Sequence, residues 1–319
     1  MPGLPREVPP GRPVRPVRLF TRRTGLALAL IAALGLAAFW LLSAPRPLTA
    51  ADVPGHTPDL ANGKILYHAG GCISCHQPSP ELAGVENTVP AGGAPLHTPV
   101  GTLYPMNLTP DAATGIGQWT DLQFLNAVMR GISPEGENLI PALPYTSYAH
   151  MKPEDVLDIR AYLASLPPVT SPEQEADITA LPLIRRGVGL WKWVGLDTTP
   201  WKPDPAQSES WNRGSYLVNG PGHCQECHTP RNVFMALDES RAFAGGPHPE
   251  GKGKVPSLRG LIERGRYTDA ADLASALKDG EAMGYDGLAS GGMGQVQRNI
   301  SQLPESDIQA IADYIASLK

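Results

Sequence analysis

The chain has 319 residues and a formal net charge of −5, a length that allows about two domains of ordinary size. Its 34 glycines, its 34 prolines and an aromatic content of only 6% indicate loop-rich domains rather than a large layered core. The first 50 residues contain seven arginines and a single acidic residue, so the remainder has 19 basic and 30 acidic residues and a formal charge of −11, which argues against binding to nucleic acid.

The N-terminal region predicts a membrane anchor. Residues 26–42 form an apolar run without a charged residue, and arginines precede it at Arg6, Arg12, Arg15, Arg18, Arg22 and Arg23. Because positive residues stay on the cytoplasmic side, we expect a cytoplasmic tail at 1–23, a transmembrane helix at 24–44 and a linker at 45–57, with the rest of the chain outside the cytoplasm. A cleaved signal peptide is the alternative, but Pro45 directly follows Ala44, and residues 48–50 lack the small first residue of a cleavage site.

Two copies of Cys-x-x-Cys-His, at residues 72–76 and 224–228, contain all four cysteines of the chain. Two thiols one helical turn apart can add to the two vinyl groups of a porphyrin, and the imidazole that follows can bind its iron. We therefore expect two covalently bound haem c groups. The predicted haem-binding residues are Cys72, Cys75, His76, Cys224, Cys227 and His228. A thioredoxin-like dithiol and an all-cysteine zinc site also use paired cysteines, but neither explains a His after both pairs.

The chain repeats itself, with Cys72 and Cys224 separated by 152 residues. The last apolar positions of the two halves match at the same separation: Val156, Ile159, Leu163 and Leu166 against Ile308, Ile311, Ile315 and Leu318. The spacing i, i+3, i+7, i+10 places these side chains on one face of a helix. Each half is therefore predicted to end in an amphipathic helix.

A middle helix is also shared by the two halves. Trp119-Thr120-Asp121 precedes it in the first half and Tyr267-Thr268-Asp269 in the second. In both runs the threonine is the predicted N-cap, and Gln123 completes a capping box in the first half. Gly131 and Gly280 are predicted to end these helices.

The order of these elements predicts a mainly α protein. Each half has a short helix leading into Cys-x-x-Cys-His, a long irregular stretch, a middle helix, a loop and a terminal helix, which is the class I cytochrome c arrangement. We predict two tandem domains of this kind, at residues 58–168 and 208–319, joined by a linker at 169–207. Irregular segments such as 77–117 are expected to surround the haem edge and to form no strands.

Within the linker, residues 183–193 mix cations with tryptophan, which fits a membrane interface, a partner surface or packing between the two haem domains.

Class I cytochromes usually take the sixth iron ligand from a Met on the loop before the terminal helix. In the second half Met293, in the loop 291–294, is the predicted ligand, and Met283 is the alternative. In the first half Leu143 stands where the thioether is expected, and leucine cannot bind iron. We favour Met106, which lies in a loop, as the sixth ligand of haem 1. Other available residues are Met129, Met151, His97 and His150, and a five-coordinate iron is also open.

The sequence resembles the cytochrome c subunits of bacterial membrane-bound dehydrogenases of the gluconate and alcohol type. The matching stretches are 101–104, Asn107-Leu108-Thr109-Pro110-Asp111, 115–120, Pro141-Ala142-Leu143-Pro144-Tyr145, 202–205 and Cys227-His228-Thr229-Pro230-Arg231-Asn232. The family usually has Met where this chain has Leu143, and it commonly has three haem units rather than two.

The predicted anchor indicates one span in the bacterial inner membrane with the haem domains in the periplasm, and two haems on the same side of it favour a relay of electrons to a quinone or a terminal oxidase. The resemblance implies a periplasmic dehydrogenase as the electron donor. The sequence has no nucleotide-binding fingerprint, so we do not expect this chain to oxidise a substrate by itself. Two alternatives remain: the di-haem subunit of a haem-copper oxidase, and a di-haem peroxidase in which haem 1 has an open site and His97 or Glu86 serves as the distal acid or base.

Overall fold

A computed structural model describes residues 22–82, 84–98, 101–248, 253–280 and 292–319. The α-helices in these residues are α1 (Arg22–Leu42), α2 (Leu60–Ala69), α3 (Cys72–Cys75), α4 (Asp121–Leu125), α5 (Tyr145–Tyr148), α6 (Pro153–Ala164), α7 (Leu181–Gly195), α8 (Glu209–Asn219), α9 (Gln225–His228), α10 (Ala270–Asp279), α11 (Gly292–Ile300) and α12 (Glu305–Ala316). Single 3₁₀ turns lie at Ala50–Asp52 and Glu239–Arg241, and a π-helical turn at Asn126–Arg130 continues α4. The protein is mainly helical, as predicted.

Helix α1 forms a unit of its own, which ends at Leu42, whereas residues Ser43–Lys319 form one compact unit. Its segment Arg23–Leu42 is long and apolar enough to cross a membrane. The side chains of this segment that the structure describes are almost all exposed, among them Leu26, Leu34 and Leu41. The predicted N-terminal apolar helix is therefore present.

The first and last helices of each half cross at a glycine. Helix α2 packs on α6, and helix α8 packs on α12. A Cβ atom at Gly63 of α2 would overlap the carbonyl oxygen of Asp158, and a Cβ at Gly214 of α8 would overlap that of Ala310. Only a residue without a side chain lets the two helix backbones approach this closely.

The predicted apolar faces lie against these crossings. Val156, Ile159 and Leu163 of α6 are buried, and so are Ile308, Ile311 and Ile315 of α12. A pair of aromatic rings closes each crossing, Tyr67 with Tyr162 at 5.2 Å and Trp211 with Tyr314 at 5.0 Å between centroids. The predicted terminal helices and their register are confirmed.

The middle helices confirm most of the predicted caps. The Thr120 hydroxyl accepts a hydrogen bond from the Gln123 amide, and the capping box is complete. Gly131 and Gly280 both adopt left-handed conformations at the helix ends, as expected. The predicted cap Thr268 is wrong by one residue, because the carboxylate of the next residue, Asp269, accepts from the Asp272 amide.

The expectation that residues 77–117 form no strands is also wrong. Strand β1 (Leu96–Thr98) pairs antiparallel with β2 (Gly101–Leu103), and in the second half β3 (Gly246–Pro247) pairs with β4 (Lys254–Val255). Thr102 also exchanges two backbone hydrogen bonds with Asp177 of the predicted linker. These pairings provide partners for backbone groups that a wholly irregular stretch would leave unsatisfied.

The predicted linker 169–207 is packed rather than loose. Its first residues lie on the first half, where the Val169 carbonyl accepts from Asn107 and Thr109. Helix α7 follows within the linker. The two predicted haem domains are therefore halves of one compact unit.

We predict that Gly63→Ala and Gly214→Ala each destabilise the protein by about 3 kcal/mol, because the added methyl group forces apart two helices that are in contact. Guanidinium unfolding of the detergent-solubilised protein, followed by circular dichroism, measures this change in the free energy of unfolding. Gly187→Ala in α7 is the matched control, since no described atom beyond its own helical turn lies within 4 Å of the added Cβ. We expect it to stabilise the protein by about 0.5 to 1 kcal/mol through helix propensity. Unchanged stability of both crossing variants would contradict the helix contact.

Candidate haem sites

Both Cys-x-x-Cys-His segments form a single helical turn. The His76 amide donates to the Cys72 carbonyl at 3.0 Å, and the His228 amide donates to the Cys224 carbonyl at the same distance. Each turn therefore places its two cysteines and its histidine on adjacent positions of one short helix. This is the local geometry that the predicted attachment requires.

The first cysteine of each motif lies in an apolar setting. Cys72 and Cys224 are half-buried, and burial raises the pKa of each thiol to about 12. A redox-active dithiol needs the opposite shift, because its attacking sulfur must be a thiolate near neutral pH. The burial of these two thiols therefore argues against the thioredoxin-like alternative.

The imidazole that follows each pair is oriented by a backbone carbonyl. The His76 Nδ1–H donates to the Met106 carbonyl at 2.7 Å, and the His228 Nδ1–H donates to the Pro256 carbonyl at 2.8 Å. A carbonyl oxygen only accepts, so Nδ1 carries the proton and Nε2 keeps its lone pair for a metal. Burial also lowers the pKa of both histidines, which favours the neutral form that binds iron.

A glycine holds each carbonyl loop against its histidine. The Gly92 amide donates to the His76 carbonyl at 2.9 Å, and the Gly245 amide donates to the His228 carbonyl at 2.7 Å. Both glycines have a positive φ, and a Cβ at Gly92 would overlap the Met106 carbonyl that accepts from His76. A Cβ at Gly245 would likewise crowd the backbone at Pro256.

Sequence reasoning missed these supporting residues. Their signal in the sequence was a pair of adjacent glycines in each half, at 92–93 and 245–246, downstream of each motif. Because glycines are frequent throughout this chain, that pair did not stand out before the structure placed it.

The structure argues against Met106 as the sixth ligand of haem 1. Its carbonyl is bonded to His76 Nδ1, which places Met106 beside the proximal imidazole. A sixth ligand has to approach the iron from the opposite face of the porphyrin. Met106 therefore belongs to the proximal side, where its main chain rather than its thioether has a role.

Met293 is the second residue of α11 rather than part of a loop. Its side chain is half-buried and packs against the apolar core of the compact unit. Its alternative, Met283, lies outside the described residues. In the first half, Leu143 occupies the corresponding place before α5, half-buried and packed against the same core.

The remaining candidates for haem 1 lie in different surroundings. Met129 and Met151 are both core residues, 4% and 1% exposed. His97 is exposed on β1 beside Thr102, and the His150 Nδ1–H donates to the Thr199 carbonyl at 2.6 Å. The His150 contact is of the same kind as those that orient His76 and His228, so His150 also keeps an unprotonated Nε2 and stays a candidate ligand.

The two motifs meet inside the compact unit. His223, the residue before Cys224, donates from Nε2 to the carbonyl of Gly70, two residues before Cys72, at 3.3 Å. The Tyr148 hydroxyl donates to the same carbonyl at 3.3 Å, and its ring packs edge-on against His223 at 5.8 Å. The backbone that precedes one motif is thereby bonded to the residue that precedes the other.

Each motif is also held by a helix of the opposite half. The hydroxyls of Thr146 and Ser147, on α5 of the first half, donate to Glu226 inside the second motif. Asn299, on α11 of the second half, donates to the hydroxyl of Ser74 inside the first motif at 3.0 Å. The halves thus position each other's attachment sites.

The donor set fits two haem c groups. In each half, two cysteines lie on one helical turn, and the histidine directs an unprotonated Nε2 away from its carbonyl partner. The residues that would hold the first haem are Cys72, Cys75 and His76, and those for the second are Cys224, Cys227 and His228.

Comparisons with known proteins agree with this arrangement. A model of the family described as cytochrome c matches residues 60–167, which is the first half. A diheme c-type cytochrome of Cereibacter sphaeroides is 41% identical over 294 residues, which cover 91% of this chain and 95% of that protein.

Components of dehydrogenases are also similar. One subunit of the nicotinate dehydrogenase of Pseudomonas putida is 38% identical over 82% of this chain but only 21% of its own length. The gluconate 2-dehydrogenase cytochrome c subunit of Pantoea cypripedii is 35% identical over 80% of this chain. The chain spans 58% of the length of that cytochrome subunit. With a relative matched over almost its whole length and two sites that fit covalently bound haem, the chain belongs to the diheme c-type cytochromes.

Proposed function

We propose that this protein is a membrane-anchored di-haem cytochrome c that relays electrons from an exported dehydrogenase to quinone or to a terminal oxidase. The observation that carries the proposal is the pair of matching histidine cradles whose motifs are joined, within one compact unit, by a hydrogen bond between the residues that precede them. Bound haem supplies one-electron redox chemistry. The chain's own residues fix the two attachment sites and keep them adjacent.

The proposed haem contacts follow from the two motifs. Cys72 and Cys75 attach the first haem, Cys224 and Cys227 attach the second, and the two motif histidines are the proximal ligands. Met293 is the proposed sixth ligand of haem 2. A thioether opposite a histidine raises the reduction potential, and a filled sixth position leaves no site for oxygen chemistry. Haem 2 is therefore suited to carrying electrons rather than to catalysis.

The contact between the motifs supports transfer inside the protein. Gly70, Tyr148 and His223 join the two attachment sites through direct hydrogen bonds. Glu226 is fixed from two sides, by Ser147 of the first half and by an ion pair with Arg231 at 2.6 Å. Such fixed neighbours resist changes in the distance between the sites during turnover.

The partner and the compartment rest on the relatives and on the N-terminus. A gluconate 2-dehydrogenase cytochrome c subunit is among the relatives, so we propose a dehydrogenase as electron donor for this chain. The apolar helix α1 and the six arginines before residue 24 favour a single span in the bacterial inner membrane, with residues after 43 in the periplasm. The haem domains at 58–168 and 208–319 remain the proposed division of the compact unit.

A second candidate function is peroxide reduction at haem 1. The observation that favours it is the lack of an assigned thioether there, since Leu143 replaces the family's methionine and Met106 lies on the proximal side. Neither predicted distal group is sheltered, because His97 and Glu86 are both exposed. Peroxide turnover by the purified protein separates the two functions, and a relay should show none above the level of free haem.

The relay itself can be tested with purified protein in nanodiscs. After reduction, the haem absorption bands should return to the oxidised form on addition of decylubiquinone or of membranes that contain a terminal oxidase. If neither acceptor reoxidises the haems and the protein turns over peroxide, the result contradicts the relay and supports the peroxidase function.

We predict that Met293→Leu converts one of the two haems to the high-spin state. Leucine has a similar volume but no donor atom, so the fold is kept while the sixth iron ligand is lost. Paramagnetic resonance of the oxidised protein measures the spin states. Met235→Leu is the matched control, because Met235 is 66% exposed on a surface turn, and it should leave the spectrum unchanged. A spectrum of Met293→Leu equal to that of the parent would remove Met293 from the ligand set.

The first half offers the reverse substitution. Leu143→Met restores the residue that the resembling family usually has before α5, so we expect a low-spin haem 1 with a higher reduction potential. The same resonance experiment reads the spin state, and a redox titration followed by absorption reads the potential. If haem 1 of the parent is already low-spin and Leu143→Met changes neither spin state nor potential, another side chain binds the iron.

A further inference from the structure

Helix α7 has its polar and apolar faces reversed relative to a helix that faces water. Leu183, Gly187, Leu190 and Val194 follow the spacing i, i+4, i+7, i+11 and form one stripe. Leu183 is 63% exposed and Val194 is 59% exposed, and Trp193 beside them is 56% exposed. An ordinary surface helix turns such a stripe toward the core.

The opposite face of α7 buries its lysine. Lys192 is only 5% exposed, and its Nζ donates to the carbonyls of Arg130 and Gly131 at 2.6 and 2.8 Å and to Asn138 Oδ1 at 2.8 Å. The ring of Tyr145 lies 4.8 Å from the same ammonium group. The stripe is therefore fixed outward by specific polar contacts, because a rotation that buried it would break all three hydrogen bonds.

A second apolar element lies next to α7. Val233, Phe234 and Met235 form the tip of a tight turn and are 91%, 64% and 66% exposed. Asn232 holds the turn by accepting from the Phe234 amide at 2.9 Å, and Trp191 of α7 donates from its indole to the Phe234 carbonyl at 2.9 Å. Three consecutive exposed apolar residues beside an apolar stripe mark a surface that binds something apolar.

The chain that leaves α1 is packed on the buried side of α7. Ser43 directly follows α1 and is fully buried, and its carbonyl lies where a Cβ on Gly189 would be. The Asn138 amide donates to that carbonyl at 3.2 Å. The guanidinium of Arg46 lies 4.0 Å from the centre of the Trp193 ring. Arg46 is the fourth residue after Leu42, the last residue of α1, so at most about 14 Å of extended chain joins the two.

The composition of α7 favours lipid over protein as the occupant of this surface. The helix has no acidic residue, and its buried Lys192 and its Arg185, which pairs with Glu137, do not face the stripe. Arg186 borders the stripe by helical spacing, and Arg46 lies over the Trp193 ring. Tryptophan and arginine beside an apolar stripe are typical of helices that lie in the headgroup region of a bilayer. Anionic lipids also attract basic segments close to a membrane span.

We propose that the outer face of α7 and the turn 233–235 lie in the headgroup region of the bilayer that α1 spans, so that the haem unit rests on the membrane rather than hanging from a flexible tether. The inference rests on the membrane anchor of the proposed function. This membrane contact gives both haem sites a fixed orientation relative to the membrane surface, where the protein meets a quinone or an oxidase.

Spin-label accessibility in nanodiscs of phosphatidylcholine and phosphatidylglycerol tests this placement. The four native cysteines are occupied by haem in the holoprotein, so an introduced cysteine is the single reactive thiol. Nitroxide labels at Val194→Cys and Phe234→Cys should be reached by oxygen and protected from a water-soluble nickel chelate, with an oxygen-to-nickel ratio several-fold above that of the control. Ser275→Cys on α10 is the matched control, because Ser275 is exposed on a water-facing helix.

The alternatives give different patterns. Nickel access at both test sites equal to that of Ser275→Cys means that the surface faces water, and protection from both reagents means that protein covers it; either result overturns the proposal. A label at Leu34→Cys, in the middle of α1, separates the two levels of inference. If the label at Leu34→Cys reports lipid while that at Val194→Cys reports water, α1 spans the membrane and only the proposed placement of α7 is wrong. Nickel access at Leu34→Cys contradicts the membrane span as well.

Discussion

The hydrogen bond from histidine Nδ1 to a backbone carbonyl is the constraint on which both sites depend. It fixes the tautomer, so that Nε2 is available for iron, and it fixes the direction in which Nε2 points. At 2.7 Å in the first half and 2.8 Å in the second, the two bonds are nearly equal. The carbonyl can come this close because a glycine with positive φ, Gly92 or Gly245, lies behind it. A side chain at either glycine would displace the carbonyl and release the imidazole.

Around this constraint the two halves depend on each other. Helix α5 of the first half holds the second motif, and α11 of the second half holds the first. The carbonyl of Gly70 accepts from both Tyr148 and His223, so hydrogen bonds connect the chain just before the first motif to the chain just before the second. Duplicated domains joined by a flexible linker would change their separation freely. Here the packing sets it, which suits the proposed transfer of electrons between two haem sites.

Much of this was accessible from the sequence because the relevant signals are local. The helix that leads into each motif and the apolar face of each terminal helix depend on spacing within one or two turns, and the structure confirms both. The cap at Thr120 is local as well, whereas Thr268 failed because Asp269 next to it offers a carboxylate as a stronger acceptor. The sequence did not reveal contacts between distant segments. The carbonyl partner of His76 is 30 residues away, and a backbone carbonyl has no residue signature.

The role of Met106 shows the same limit. Its type and its position in a loop were compatible with a sixth ligand, but only the fold shows that its main chain lies on the proximal side. Helix α7 is the opposite case, since its mixture of cations and tryptophan was visible while the direction of its faces was not. That direction is set by three acceptors on the first half, which bury Lys192 and leave Leu183 and Val194 outside.

The most direct test of the account is the mass of the denatured holoprotein. Thioether bonds survive denaturation, so the polypeptide should carry the mass of two haem groups, with digestion placing one on the peptide that contains residues 72–76 and the other on the peptide that contains 224–228. A polypeptide that retains one haem or none would contradict the claim that both cradles hold covalently attached haem.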